Sequence, residues 1–92
     1  MHAPADTYTA EIDDLTKLAA ELAARGLHAQ VQEPAGRLPC LHVTNPHATV
    51  LTERVFAQAD SYWWSWCERI AGCHEPATAA SILARVLRTI TE

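Results

Sequence analysis

All three tryptophans of this chain fall within the run Tyr62-Trp63-Trp64-Ser65-Trp66, and that run constrains the fold more than any other segment. A strand sends successive side chains to opposite faces, so Tyr62, Trp64 and Trp66 are expected on one side and Trp63 and Ser65 on the other. A single core accepts one of those sets. The other set needs a second surface to pack against, and that need points to a contact face.

A chain of 92 residues makes one domain, close to the size at which core burial alone leaves a modest stability margin. Apolar residues at 49% and charged residues at 20% describe a globular chain, not a disordered one. Seven Lys and Arg against eleven Asp and Glu give a net charge of -4, which argues against a sequence-independent grip on phosphate backbones. No stretch approaches the roughly 18 to 20 apolar residues of a spanning helix, so no membrane association is expected. The start, Met1-His2-Ala3-Pro4-Ala5-Asp6, lacks the basic and apolar regions of a secretory signal, and a cytoplasmic location is expected. Three cysteines, Cys40, Cys67 and Cys73, cannot all pair within one chain, which fits reduced thiols.

Residues 1–6 read as a flexible leader and residues 7–92 as a single domain. Asp6 or Thr7 can cap a helix over residues 7–25, with Glu11, Asp13 and Asp14 near its positive end. Ile12, Leu15, Leu18, Ala19, Leu22 and Ala23 recur at three- and four-residue spacing and form its apolar stripe. Arg25 suits the negative end, and Gly26 supplies a left-handed stop. Next, Leu27, Ala29 and Val31 alternate with His28, Gln30 and Gln32, the pattern of a strand with one buried face. Turn chemistry at Glu33-Pro34-Ala35-Gly36 leads to a second strand over residues 38–44, and Asn45-Pro46-His47 leads to a third over residues 50–57. A fourth strand is expected over residues 62–70.

A turn centred on Ala59 and Asp60 sets Ala57 opposite Tyr62, Phe56 opposite Trp63, Val55 opposite Trp64, Arg54 opposite Ser65 and Glu53 opposite Trp66. Leu51, Val55, Tyr62, Trp64 and Trp66 then share one face. Thr52, Arg54, Phe56, Trp63 and Cys67 share the other. The segment from Gly72 to Glu75 ends the sheet, and Pro76 fits the first turn of a final helix. Ile82, Val86, Leu87 and Ile90, with Leu83 and Ala79 alongside, form its apolar stripe. The expected fold is α+β: helix, four-stranded antiparallel meander, helix, with both helices packed on one face of the sheet.

If the helices cover the face with Leu27, Val31, Val55, Trp64 and Trp66, the opposite face keeps Trp63, Phe56 and Arg54, with His28 and Gln30 at its rim. Tryptophan, phenylalanine and arginine among polar side chains are the composition of a binding patch. The expected function is a non-enzymatic interaction or regulatory module, acting as a homodimer or on a regulatory protein.

Other chemistries are open. Cys40 and His42 would point the same way from a strand, His47 follows, and Cys67, Cys73 and His74 approach from the other end, giving sulfur and imidazole suited to zinc. Paired spacings of the C-x-x-C or H-x-x-x-H kind are missing, and neither a metal nor a cofactor is assigned. A small-ligand pocket is a further alternative. A thiol enzyme would pair Cys40, Cys67 or Cys73 with His42 or His74, yet no third group or oxyanion site is recognisable, so no catalytic residue is assigned. Glu11, Asp13, Asp14 and Glu21 read as a solvated helix face, Glu68-Arg69 as a strand-end pair, and Arg85 and Arg88 as solvated cations. Tryptophan-bearing sheets can stack bases, but Arg25, Arg37, Arg54, Arg69, Arg85 and Arg88 are scattered, so nucleic acid is not expected as a partner.

Four segments carry a resemblance: Leu41-His42-Val43-Thr44-Asn45-Pro46, Glu53-Arg54-Val55, Tyr62-Trp63-Trp64-Ser65-Trp66-Cys67-Glu68-Arg69-Ile70, and the helix from Ala79 to Leu87. Together they resemble a group of short uncharacterised actinobacterial α+β proteins, over most of the chain, with the tryptophan run and its Glu-Arg-Ile ending as the most specific part. The resemblance implies a glycine at the position of Cys67. Such proteins are often met near helix-turn-helix regulators, which implies a regulatory or accessory role. It brings no activity and no catalytic residue. The element order is also similar to double-stranded RNA-binding domains, but the final helix opens with Cys73-His74-Glu75-Pro76-Ala77-Thr78 where those carry lysines.

Overall fold

Helix α1 (Thr9–Ala24) buries Leu15, Leu18 and Leu22 completely, the three leucines of its apolar stripe. Ile12 and Ala19 are half-buried at its margin, and Ala23 is exposed. The computed structural model describes residues 9–34 and 36–87, with backbone alone at residues 48–50. The expected leader and the Asp6 or Thr7 cap lie outside the described residues. At the other end of α1 the chain stops as its sequence requires. Gly26 adopts φ 83°, Leu27 N–H donates to the Leu22 carbonyl at 3.1 Å and Gly26 N–H to the Ala23 carbonyl at 3.1 Å. This pair of bonds satisfies carbonyls that the helix leaves open, and it needs the left-handed residue that glycine supplies.

Five strands follow: β1 (His28–Gln32), β2 (Cys40–Asn45), β3 (Ala48–Gln58), β4 (Ser61–Trp64) and β5 (Arg69–Gly72). They form one antiparallel sheet in sequence order, joined at every step by a short connection. Helix α2 (Pro76–Val86) closes the described fold, with proline in its first turn. Helix α1 packs on β1, β2, β3 and α2, and α2 packs on β5. The core lies between these helices and the sheet residues Leu41, Val43, Val55, Ala57, Tyr62, Trp64 and Ala71. Among the described residues, no helix is long and apolar enough to cross a membrane.

The sheet has five strands and not four because the aromatic run bends. Gln58 pairs with Ser61, and the two loop residues Ala59 and Asp60 both sit in the left-handed region, at φ 50° and 62°, as a type I′ turn demands. From there Ala57 faces Tyr62, Phe56 faces Trp63 and Val55 faces Trp64, the expected register. The ladder then ends. Cys67 N–H donates to the Trp64 carbonyl at 2.9 Å and Trp64 N–H to the Glu68 carbonyl at 2.8 Å, closing a three-residue loop of Ser65, Trp66 and Cys67. Cys67 takes φ 71°, at the loop position that ordinarily holds a left-handed glycine. That is the position at which the resemblance implies glycine. The oppositions of Glu53 with Trp66 and of Arg54 with Ser65 therefore do not form. A bulge between Tyr62 and Trp63 then brings Tyr62 opposite Ala71 but Trp63 opposite Arg69, so the two chains of the last hairpin keep their faces despite an extra residue.

Two burial assignments also change. Trp66, expected in the core, is 52% exposed. In α2 the buried set is Ala79, Ala80 and Leu83, with Leu87 buried at its C-terminal cap, while Ile82 is half-buried and Val86 is 49% exposed. The helix is rotated so that its alanines face inward, which suits close packing on α1. Ile90 and Arg88 lie outside the described residues.

Candidate functional site

The register sorts the sheet into two faces. Opposite the core, His28 pairs with Thr44, Gln30 with His42, Gln32 with Cys40, His42 with Arg54, Thr44 with Thr52, and Phe56 with Trp63. Because strand side chains alternate, these residues share the face turned away from Leu41, Val43, Val55, Tyr62 and Trp64. Trp63 and Phe56, directly opposed on adjacent strands, are half-buried, and Arg54 and Gln58 are exposed. The Trp63 indole N–H donates to the Gln58 carbonyl at 2.9 Å. That bond fixes the ring edge and leaves the ring as a wall.

Trp63 and Phe56 line a cleft of about 390 Å³ together with Leu38, Trp64 and Cys67. The volume is in the range that accommodates large side chains or small ligands. Leu38 and Phe56 also border a second cleft that contains Arg37, Arg54, Gln32 and Cys40. The two clefts thus adjoin and share Leu38 and Phe56 as a common wall. His28 and Gln30 line a separate hollow with His42 and Thr44 at the β1 edge. Of the five residues expected at the contact surface, the structure brings Trp63, Phe56 and Arg54 together and leaves His28 and Gln30 two strands away, across His42.

Sequence reasoning missed Leu38 and Arg37. Both lie in the connection before β2, where no periodicity reports on placement: the strand expected to begin at Leu38 begins at Cys40. Cys67 was expected on the Phe56 and Trp63 side and does border their cleft, but from the loop after β4.

The thiols do not converge. Cys40 is buried, with its Sγ 4.0 Å from Gln32 Oε1, Cys67 is exposed, and Cys73 is half-buried. Burial, with the Asp14 carboxylate beside it, pushes the Cys73 thiol up to about 12. A thiol held protonated in this way is a poor nucleophile near neutrality. Among the described residues no three His, Cys, Asp or Glu side chains gather in a metal-holding group. Glu68 and Arg69 do not pair with each other: Glu68 Oε1 accepts the Trp66 indole N–H at 2.9 Å, and Arg69 Nε donates to Ser61 Oγ at 2.9 Å. Arg85 is exposed on α2.

Compared with protein-family models, curated proteins and solved structures, the chain matches none of them. The functional reading therefore stands on the surface itself.

Proposed function

We propose that this domain is a non-enzymatic interaction module that holds a protein partner against the sheet face not covered by its helices. Trp63, Phe56 and Arg54 are its contact residues, with His28 and Gln30 at the far rim. One observation carries this reading: a trough made of two adjoining clefts, in which a tryptophan and a phenylalanine, directly opposed on β4 and β3, lie close to an exposed arginine. Rigid aromatic walls with arginine nearby are the usual anchors of binding energy at protein interfaces. A second copy, giving a homodimer, or a regulatory protein are the partners expected from sequence. The resemblance to proteins met near helix-turn-helix regulators supports an accessory role in regulation.

Trp63→Asp tests the reading. The variant is expected to lose partner or self-association, read by solution mass, while its unfolding in urea stays cooperative and close to the parent's. If Trp63→Asp unfolds the domain, Trp63 belongs to the core and the reading fails. A small apolar ligand is the second reading, favoured by the volume of the Trp63 cleft. An obligate monomer that binds no protein but takes up a hydrophobic dye through this cleft would favour it.

A further inference from the structure

The charge along the trough is one-sided, and that identifies what it takes. The chain has a net charge of -4. Most of its described acids lie elsewhere: Glu11, Asp13, Asp14 and Glu21 on α1, Asp60 and Glu68 in turns, and Glu75 at the start of α2; Glu33 follows β1 between the lining residues Gln32 and Pro34 but is exposed and does not itself line the cleft. Neither of the two adjoining clefts is lined by a carboxylate, whereas Arg37 and Arg54 both line the second. Glu53 lines neither cleft and borders a neighbouring hollow that also contains Arg54. Both arginines are exposed, and among the described residues neither is in an ion pair. By contrast Lys17 pairs with Asp13 and Arg25 with Glu21. In an acidic protein, two unpaired guanidinium groups beside an apolar cleft form a site with its own sign.

We propose that the trough binds an acidic peptide segment of another protein, one that places a large apolar side chain in the Leu38, Phe56 and Trp63 cleft and sets neighbouring Asp or Glu carboxylates on Arg37 and Arg54. The proposal rests on the reading of this face as an interaction surface. Guanidinium groups bind carboxylates through paired, charge-assisted hydrogen bonds, which gives orientation as well as attraction. The cleft supplies the apolar part of the contact and the arginines its specificity. A two-fold pairing of this face with itself would bring together two clefts that carry arginines and no lining carboxylate, leaving Arg37 and Arg54 without acidic partners, which disfavours dimerisation through the trough. Binding of the α1 acids of a second copy would be a heterologous, head-to-tail contact, which gives rings or filaments and not a two-fold dimer. Single-stranded nucleic acid fits less well, since two cations on a chain of net charge -4 supply little counterion release.

The test is selection of random peptides displayed on phage against the full chain, followed by fluorescence anisotropy with the enriched peptide. The proposal expects enrichment of sequences that combine Leu, Phe or Trp with nearby Asp or Glu. It expects affinity to fall with added salt, and Arg54→Glu and Arg37→Glu each to weaken binding about tenfold or more, the loss of one charge-assisted pair. Both residues are exposed, so these variants keep the fold intact. If the selected peptides need Trp63 but lack carboxylates and ignore both reversals, the interaction face stands and the acidic partner is overturned. If no selected peptide depends on Trp63, both fail. Preferential binding of labelled oligothymidylate overturns the proposal in favour of nucleic acid. Self-association that disappears in Arg54→Glu overturns it in favour of a second copy.

Discussion

The indole rings of Trp64 and Trp66 lie 4.8 Å apart and 7° from parallel, stacked face on face. In an uninterrupted strand these residues would stand side by side along one face, so the stack exists only because the chain folds back after Trp64. Trp64 is 6% exposed and belongs to the core, while Trp66 is 52% exposed and covers it. The Trp66 indole N–H is held by Glu68 Oε1 at 2.9 Å, which pins the cover from the far side of the loop. The aromatic run thus divides into three roles: core at Trp64, cover at Trp66 and surface wall at Trp63.

This division sets the cost of truncation. Trp64→Ala removes a large buried ring and should destabilise the domain by about 3–5 kcal/mol. Trp66→Ala removes a half-exposed ring and one stack, and should cost only about 0.5–1.5 kcal/mol. Urea denaturation of both variants measures the difference. Equal losses would show that Trp66 is core after all.

The turn between β3 and β4 offers a gain. Ala59 and Asp60 hold φ 50° and 62°, a conformation that costs an L-residue with a Cβ roughly 1–2 kcal/mol and that Asn-Gly adopts readily. Replacing the pair through Ala59→Asn and Asp60→Gly should raise stability by about 1 kcal/mol, or about 4–8 °C in melting temperature for a domain of this size. The ladder and the Asp60 carbonyl bond to Cys73 N–H are backbone features and stay in place.

The legible parts of the fold were those written in periodicity. The Leu15, Leu18 and Leu22 stripe, the Gly26 stop and the opposition of Val55 with Trp64 all follow from spacing, and all are present. The fifth strand was hidden because Cys67 occupies a left-handed loop position without being glycine, so aromatic strand propensity ran unbroken past the real turn. On the last helix Ala79, Leu83 and Leu87 are inward as their spacing predicts, whereas Val86 is exposed and Ala80 is buried in its stead, because size stood in for burial. Ala79 and Ala80 are buried because α1 comes close, and that depends on tertiary packing. At the candidate site, Phe56 and Trp63 could be paired from the register, whereas Leu38 and Arg37 reach it from a connection whose path no local pattern encodes.

Cys67→Gly should stabilise the domain. The substitution relieves a side chain at φ 71° while giving up only the contacts of an exposed thiol. After the entropy that glycine adds to the unfolded chain, a net gain of about 0.5–1 kcal/mol is expected. A rise in urea midpoint at unchanged slope checks it. A fall would mean that the cysteine side chain holds the Trp63 cleft in shape.

Asn45 is a buried polar residue whose two ends are both used. Its Nδ2 donates to the Leu87 carbonyl at 2.7 Å and its Oδ1 accepts His47 N–H at 2.8 Å, tying the end of β2 to the end of α2. Asn45→Ala should cost about 1–3 kcal/mol, since it leaves the Leu87 carbonyl and the His47 amide without that partner. Asn45→Asp should cost more at neutral pH, because a carboxylate would then face a carbonyl oxygen. Hydrogen exchange should show the loss first as fraying of the last turn of α2.

Alkaline pH should destabilise the domain through buried Tyr62 and half-buried Cys73. Burial, reinforced by nearby negative charge, raises Cys73 from its ordinary 9.0 to about 12 and raises Tyr62 above its ordinary 10.0. The Tyr62 hydroxyl also donates to the Asp14 carbonyl at 2.6 Å, a bond that exists only in the protonated form. Above pH 9 the unfolded chain releases protons that the folded chain still holds, so stability must fall as pH rises. The contribution is complete below pH 9 and is lost progressively as the pH climbs through about 12. Urea midpoints measured across that window should decline in the parent and flatten in the Cys73→Ala, Tyr62→Phe double variant. The same burial predicts that alkylating reagents label exposed Cys67 first and Cys73 slowly near neutrality. Rapid labelling of Cys73 would mean that its thiol is ionised, which would revive the thiol-enzyme alternative.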